Sequence, residues 1–266
     1  MSQTKLFVPI LLSILLMSRN MQRSMLYYPD YRLPSGSELT AKGLQFWPDG
    51  PAGYRGYIST CPIKAVKGTV IILHGNAGTA DDRDYYVSPF CLMGYRIILA
   101  EYPGYGEREG ELSEQSFVQD ALETVRIAAA KQEGPIYLLG ESLGCGVVAG
   151  AARNTSVKIP GLLLITPWDT LLAVAKHHYP SLPVGWFMKD KYDNAKNLAS
   201  FQGKIAVVGA ARDEVIPIRH ARELFAQLPE NKRMWIIDGV GHNDWIMRMD
   251  MSKWEEIMDF VSKDGS

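Results

Sequence analysis

Short apolar runs recur along the chain, and longer amphipathic stretches separate them. The runs cover residues 69–73, 96–100, 135–139, 161–165, 205–208 and 234–237. Each run is apolar on both faces, as strands of a buried parallel sheet are. The stretches between them repeat apolar residues every three or four positions, as amphipathic helices do. The alternation predicts an α/β fold with an open, mostly parallel, doubly wound sheet and helices on both faces.

Two earlier strand-like runs have a different arrangement. Residues 44–47 and 54–58 are separated only by the turn sequence Pro-Asp-Gly-Pro at residues 48–51. Two strands joined by a short turn pair antiparallel. We therefore expect an antiparallel hairpin at the amino-terminal edge of the sheet.

The amino-terminal segment is apolar over residues 6–17, interrupted only by Pro9 and Ser13. As a helix it would be about 18 Å long, short of the roughly 30 Å of a bilayer core. Its length suits a signal segment, although no small-x-small cleavage site follows. We expect residues 1–24 to be a signal or membrane anchor before one domain at residues 25–266. The protein would then be membrane-associated or exported; a cytoplasmic location is the alternative.

The charge balance excludes one class of partner. The chain has 28 Lys and Arg against 29 Asp and Glu, a net charge of −1. Nucleic-acid binders usually carry a basic surplus, so we expect no nucleic acid. The five histidines and three cysteines form no zinc motif, so no metal is expected. Cys61, Cys91 and Cys145 are predicted to be buried free thiols.

The strongest chemical signal is Gly-Glu-Ser-Leu-Gly at residues 140–144, which centres on Ser142. It follows the strand-like residues 136–139 and precedes a run of small residues at 145–153. A strand, a glycine-flanked turn and a helix are the context of a nucleophile elbow, which exposes the serine hydroxyl above the sheet. This context predicts Ser142 as a nucleophile.

A serine nucleophile needs a general base. In hydrolases with this elbow the histidine comes last, after the final strand. His242 alone among the histidines follows the last strand-like run. We predict it as the base. Structural or surface roles are expected for His74, His177, His178 and His220.

The third member should be an acid at the end of a strand between the serine and the histidine. Asp213 follows the run at residues 205–208 and is our prediction. Asp169 comes one strand earlier, a position that some hydrolases use. Asp238 is a further rival. Asp244 lies only two residues from His242, too close to reach beneath its ring.

The oxyanion that forms during acyl transfer needs two N–H donors. One should be the backbone N–H of Leu143, directly after the nucleophile. The second should come from the loop at residues 74–78, where glycines on both sides let the backbone turn inward. We assign it to the N–H of Asn76, and we expect His74 to order this loop.

Together these motifs resemble the α/β-hydrolase superfamily, and within it the Bem46-type serine hydrolases. The likeness spans residues 25–262 and rests on the motifs at residues 74–78, 102–106, 140–144, 213–217 and 241–244. Pro103 stands where relatives commonly have arginine, and Cys145 where a second glycine is frequent. The resemblance implies cleavage of a small acyl ester or thioester without a cofactor; the fold alone names no substrate.

Residues 166–202 are the place for a cap over the site, and they are few. Their apolar side chains suit either an acyl group or simple packing over the sheet, and the sequence does not decide between the two. Two other functions remain open: a serine peptidase or amidase, and a ligand-binding protein on a hydrolase scaffold. The chain has no room for an added peptide-gating domain, which disfavours the first.

Overall fold

Strands and helices alternate along residues 23–263, which the computed structural model describes. The strands are β1 (Tyr28–Pro29), β2 (Leu44–Trp47), β3 (Gly56–Ser59), β4 (Gly68–Leu73), β5 (Ala77–Gly78), β6 (Tyr95–Ala100), β7 (Ile136–Glu141), β8 (Gly161–Ile165), β9 (Lys204–Ala210) and β10 (Lys232–Ile237). The helices are α1 (Gly36–Ala41), α2 (Val87–Met93), α3 (Glu114–Lys131), α4 (Leu143–Asn154), α5 (Leu171–His178), α6 (Val184–Phe187), α7 (Asn194–Leu198), α8 (Ile218–Gln227) and α9 (Met251–Ser262). Short 3₁₀ turns cover Pro51–Gly53, Ala80–Tyr86 and Trp245–Arg248.

The main sheet has eight strands in the order β10-β9-β8-β7-β4-β6-β3-β2. The strands from β10 to β6 are parallel, and β3 pairs antiparallel with both β6 and β2. The predicted α/β fold with its antiparallel edge hairpin is therefore confirmed. A separate two-stranded parallel pair, β1 with β5, was not predicted.

Helices cover both faces of the sheet, as the alternation indicated. Side chains of alternate strand residues enter opposite layers, so Ile71 lies in one core and Ile72 in the other. Phe117 of α3 and Leu224 of α8 belong to the first core, and Trp254 of α9 to the second. These two layers hold the parallel strands rigidly, so their carboxyl ends form a fixed edge.

The prediction of three free thiols is wrong for two of them. Cys61, just after β3, and Cys91, on α2, form a disulfide with a Cα–Cα distance of 6.3 Å. They are 30 residues apart in sequence, and only the packing of α2 beside the edge strands brings them together. Cys145 is free and buried, as expected.

The predicted signal or anchor at residues 6–17 lies outside the described residues and stays a prediction. Within residues 23–263, none of the helices combines the length and the apolar character needed to cross a bilayer.

Candidate active site

The three predicted triad residues meet at the carboxyl edge of the parallel strands. Ser142 follows β7, Asp213 follows β9, and His242 follows β10. Nε2 of His242 lies 2.9 Å from Oγ of Ser142, and its Nδ1 lies 2.8 Å from Oδ2 of Asp213. All three side chains are buried. This is the hydrogen-bonded order of a nucleophile, a base and an orienting acid.

Ser142 occupies a strained turn between β7 and α4. Its φ of 52° and ψ of −115° are unusual for a residue with a side chain. Close packing requires glycine on either side. A Cβ at Gly144 would lie 1.9 Å from the carbonyl oxygen of Leu73, and one at Gly140 would lie 2.5 Å from that of Gly144. The turn thus presents the hydroxyl at the amino terminus of α4.

Cys145 occupies the position where relatives frequently have a second glycine, and the structure shows what its side chain does there. Its Sγ lies 3.1 Å from the carbonyl oxygen of Gly140 and 3.2 Å from that of Ile165, so the single S–H has an acceptor in either direction. Complete burial raises the pKa of this thiol well above its usual value. Cys145 is therefore a structural side chain beneath the turn, and its thiol is not activated as a nucleophile.

Backbone contacts fix the acid in place. One carboxylate oxygen of Asp213, Oδ1, accepts hydrogen bonds from the N–H groups of Val215 and Ile216, at 2.9 and 2.6 Å. The other oxygen remains for His242. The carboxylate cannot rotate without losing these bonds, so the imidazole has a rigid partner.

The rival acids are engaged elsewhere or face solvent. Asp169 lies 2.9 Å from Nδ1 of His220, and Asp244 accepts from the N–H of Gly241 at 2.6 Å. Asp238 is exposed. The structure brings Asp213 alone among the four candidates to the ring of His242.

The loop of Asn76 faces the elbow, and three contacts hold it. The carbonyl oxygen of Asn76 accepts from the N–H of Tyr28 at 2.9 Å and from the hydroxyl of Tyr105 at 2.7 Å. Its side-chain amide donates to the carbonyl oxygen of Leu26 at 3.0 Å. Within residues 23–263, the backbone N–H groups of Asn76 and Leu143 donate to no acceptor. Both remain free to serve an oxyanion.

His74 orders this loop through a glutamate that sequence reasoning missed. Its Nδ1 lies 2.7 Å from the carbonyl oxygen of Gly75, and its Nε2 lies 2.9 Å from Oε1 of Glu101. Oε2 of Glu101 accepts from the N–H of Ala80 at 2.8 Å, so the fully buried carboxyl group spans both ends of the loop. The available signal was a charged residue directly after the apolar strand β6.

A cavity of about 230 Å³ opens beside Ser142. It is lined by Gly75, Asn76, Ala77, Asp82, Arg83, Tyr85, Glu141, Ser142, His242, Asn243, Trp245 and Ile246. Glu141 accepts from the hydroxyls of Tyr85 and Tyr86, at 2.6 and 3.0 Å. Burial, and then the nearby Glu141, raise the pKa of both tyrosines well above the usual range, so they remain donors. The site is small and largely polar.

A larger cavity of about 520 Å³ lies at the opposite, amino-terminal ends of the strands. Lys67, Tyr95, Pro135 and Lys158 are among its lining residues, and none of the predicted catalytic residues borders it. Open parallel sheets bind their ligands at the carboxyl ends of the strands, so the smaller cavity is the candidate substrate site.

The segment expected to form a cap divides into two parts. Trp168 is buried and donates through Nε1 to the carbonyl oxygen of Tyr192 at 3.2 Å. Tyr179, Leu182 and Trp186 are exposed, and Trp186 is 89% exposed. The beginning of the segment therefore packs over the sheet, whereas its middle leaves apolar side chains in solvent.

Comparison with known proteins identifies the family. The alpha/beta hydrolase fold family matches residues 68–204, so the chain belongs to that family. The chain is 29% identical over 229 residues to the uncharacterized protein Rv2307c of Mycobacterium tuberculosis, a match covering 84% of this chain and 81% of the other. The resemblance to the α/β-hydrolase superfamily seen in the motifs is confirmed.

A second relative and a solved structure carry functional names. The lysophosphatidylserine lipase ABHD12 of Xenopus tropicalis is 30% identical over 175 residues, which is 59% of this chain. The match spans 45% of that lipase, so this chain corresponds to less than half of its length. The esterase PF2001 of Pyrococcus furiosus shares the fold with a TM-score of 0.62 and 14% identity, over 90% of this chain and 99% of the esterase.

Proposed function

We propose that the protein is a serine hydrolase that cleaves carboxylic ester or thioester bonds through an acyl-enzyme. The observation that carries the proposal is the continuous chain of contacts from Ser142 through His242 to Asp213. The backbone N–H groups of Asn76 and Leu143 donate to no acceptor among residues 23–263; Asn76 lines the same cavity as Ser142, and Leu143 is its neighbour in sequence. A triad with an oxyanion hole is the apparatus of acyl transfer.

The reaction proceeds in two steps. Nε2 of His242 takes the proton of the Ser142 hydroxyl as Oγ attacks the acyl carbon, and Asp213 stabilises the imidazolium that forms. The N–H groups of Asn76 and Leu143 donate to the oxyanion. The imidazolium then protonates the departing alcohol or thiol. In the second step His242 deprotonates water, which attacks the acyl carbon; the imidazolium then returns the proton to Oγ of Ser142 as the acid is released.

The cavity favours small acyl groups. Its volume of about 230 Å³ is below the roughly 300–1,000 Å³ of most small-molecule pockets. One relative is named a lipase and one structural neighbour an esterase. Both names support an ester rather than a peptide bond as the bond that is cleaved. The exposed apolar side chains of the cap segment would contact a longer acyl chain only outside this cavity.

A chain-length series tests the substrate class. Purified protein is assayed with p-nitrophenyl esters and acyl-coenzyme A thioesters of increasing acyl length, and Ser142→Ala serves as the inactive control. We expect kcat/KM to be highest for short or medium acyl groups and to be lost in Ser142→Ala. Cleavage of peptide substrates without cleavage of any ester would overturn the choice of bond.

We also propose that residues 6–17 hold the enzyme at a membrane or direct it out of the cytoplasm. The disulfide between Cys61 and Cys91 supports this, because disulfides persist mainly in oxidising compartments. Fractionation of the full chain and of a form starting at Met25 tests the proposal. Equal recovery of both forms in the soluble cytoplasmic fraction would contradict it.

A further inference from the structure

The middle of the cap segment holds a cluster of exposed apolar side chains. Tyr179, Leu182 and Trp186 are 41%, 58% and 89% exposed. Two tight turns keep them close together: the N–H of Leu182 donates to the carbonyl oxygen of Tyr179 at 3.1 Å, and that of Trp186 donates to that of Pro183 at 3.0 Å. We call these three side chains the cap patch. They lie outside the lining of the cavity beside Ser142.

The cap patch has the character of a binding surface. Single exposed apolar residues are ordinary, whereas neighbouring ones on a folded support mark places where a protein meets a partner or a membrane. The support here is α5, because a Cβ at Gly185 of α6 would lie 3.3 Å from a methyl group of Leu172 on α5. Tryptophan and tyrosine combine an apolar ring with a polar group, which suits the boundary between lipid and water.

The charge around the cap patch indicates the partner. Residues 171–189 contain no aspartate or glutamate, although the whole chain has 29 of them. Lys176 and Lys189 flank the cap patch in sequence, and both are exposed. Asp190, the first carboxylate after the segment, is buried and accepts from the hydroxyl of Tyr27 at 3.0 Å. Apolar side chains bordered by lysines are typical of a surface that binds anionic lipid.

The beginning of the described chain lies against the end of the cap segment. The hydroxyl of Tyr27 is 3.0 Å from both Oδ2 of Asp190 and the hydroxyl of Tyr192, and the N–H of Tyr27 donates to the carbonyl oxygen of Arg23 at 2.9 Å. The apolar residues 6–17 end six positions before Arg23, a span of at most about 22 Å. A bilayer that holds residues 6–17 would therefore be near the cap segment.

We propose that the cap patch inserts into the surface of an anionic phospholipid bilayer. The inference extends the membrane location proposed for residues 6–17 and rests on it. The ring of Trp186 would lie at the boundary between headgroups and acyl chains, with Lys176 and Lys189 beside the headgroup phosphates. The amino-terminal segment alone would leave the domain free to rotate, whereas a second contact would fix its orientation.

This orientation would bring the candidate active site to the lipid. Nε2 of His178, next to Tyr179, lies 2.7 Å from the carbonyl oxygen of Val215, and the N–H of Val215 donates to Asp213 at 2.9 Å. The cap patch thus borders the loop that carries the proposed triad acid. An ester leaving the bilayer there would have a short path to the site.

Quenching of Trp186 by lipid tests the contact. The other five tryptophans are buried or half-buried, so Trp186 is the one placed to meet lipid. The full chain is mixed with phosphatidylglycerol–phosphatidylcholine vesicles, with or without brominated acyl chains. Trp186→Leu is the matched control, because it keeps an apolar side chain and removes the fluorophore. We expect brominated lipid to quench the wild type more strongly than Trp186→Leu.

Vesicle sedimentation measures the strength of the contact. The Leu182→Asp, Trp186→Asp double variant should bind phosphatidylglycerol vesicles at least about tenfold more weakly than the wild type. Leu92→Asp places the same charge on an exposed leucine of α2 and should bind as the wild type does. All variants should cleave a water-soluble p-nitrophenyl ester at the wild-type rate. A wild type that cleaves no ester would contradict the proposed reaction and not the lipid contact.

Three results would overturn the proposal. A vesicle-bound wild type quenched no more than Trp186→Leu would leave residues 6–17 as the attachment and exclude the cap patch. A wild type that does not bind phosphatidylglycerol vesicles would contradict both the cap patch and the proposed location. A concentration-dependent dimer in analytical ultracentrifugation that the double variant abolishes would assign the cap patch to a second copy of the chain.

Discussion

Nδ1 of His242 lies 2.8 Å from Oδ2 of Asp213, and this contact distinguishes the proposed triad acid from its rivals. The other oxygen of Asp213 is held by two backbone N–H groups. Asp169, the rival one strand earlier, faces His220 instead. The two acid–histidine pairs are therefore separate, and each makes a different prediction on mutation.

Asp213→Asn should lower kcat by about four orders of magnitude while leaving the protein folded, because the amide no longer holds the productive tautomer of His242. Asp169→Asn should retain most of the activity, since Asp169 does not contact that ring. Steady-state kinetics on a p-nitrophenyl ester, with circular dichroism of both variants, make the comparison. Full activity in Asp213→Asn with loss in Asp169→Asn would move the acid to the earlier strand.

Glu101→Gln should impair the oxyanion loop without touching the triad. Glutamine has a single acceptor oxygen, so it cannot accept from the backbone N–H groups of both Tyr102 and Ala80, which bond to different carboxylate oxygens of Glu101. We expect a loss of about 1–3 kcal/mol in the free energy of unfolding and a lower kcat. Glu107→Gln, an exposed residue nearby, is the control. Urea unfolding and kinetics that leave Glu101→Gln equal to this control would contradict the role.

The lowered pKa of Asp81 predicts that the stability of the protein depends on pH. Burial raises the pKa of this carboxyl, but hydrogen bonds from Lys42, Thr79 and Arg32 outweigh it and hold the pKa below its usual value. A carboxyl whose pKa is lowered by folding stabilises the protein above its unfolded pKa of about 3.9, and this contribution is lost as the pH falls through the folded pKa.

The free energy lost in Asp81→Asn should therefore be largest near neutral pH and should shrink below pH of about 4. Asp49→Asn removes an exposed ion pair with Lys131 and should change stability by less than about 1 kcal/mol at any pH. Denaturant unfolding at several pH values measures both. A difference between wild type and Asp81→Asn that does not vary with pH would count against the assignment.

The disulfide should contribute measurably to stability. It closes a loop of 30 residues between Cys61 and Cys91, so the Cys61→Ser, Cys91→Ser double variant should lose about 2–4 kcal/mol. Thermal unfolding under non-reducing conditions gives the difference. Intact mass after alkylation of the unfolded wild type should show one reactive thiol, that of Cys145; three reactive thiols would mean that the bond does not form.

The sheet was predictable because its strands are short apolar runs, whose periodicity depends only on neighbours in sequence. Ser142 was predictable for the same reason, because the glycines and the strand that identify it are its neighbours in sequence. Asp213 and His242 followed from the order that the topology imposes. For the strands and for Ser142 the signal lay within a few residues of the position, whereas for Asp213 and His242 it lay in their order along the chain after Ser142.

Features that depend on distant residues were missed. Nothing near Cys61 in sequence indicates Cys91, because the packing of α2 brings them together. The role of Glu101 is similar, since its partners His74 and Ala80 come from another strand end. The β1–β5 pair, only two residues long in each strand, is too short to give a periodic signal.

Covalent labelling of Ser142 tests the central claim most directly. A fluorophosphonate probe reacts with a serine whose hydroxyl is activated by a base and whose oxyanion is stabilised. Peptide mapping of the native protein should find the probe on Ser142; labelling should vanish in Ser142→Ala and fall sharply in His242→Ala, with both variants folded. A folded wild-type protein that takes up no probe and hydrolyses no ester would contradict the hydrolase account and favour a ligand-binding protein on the same scaffold.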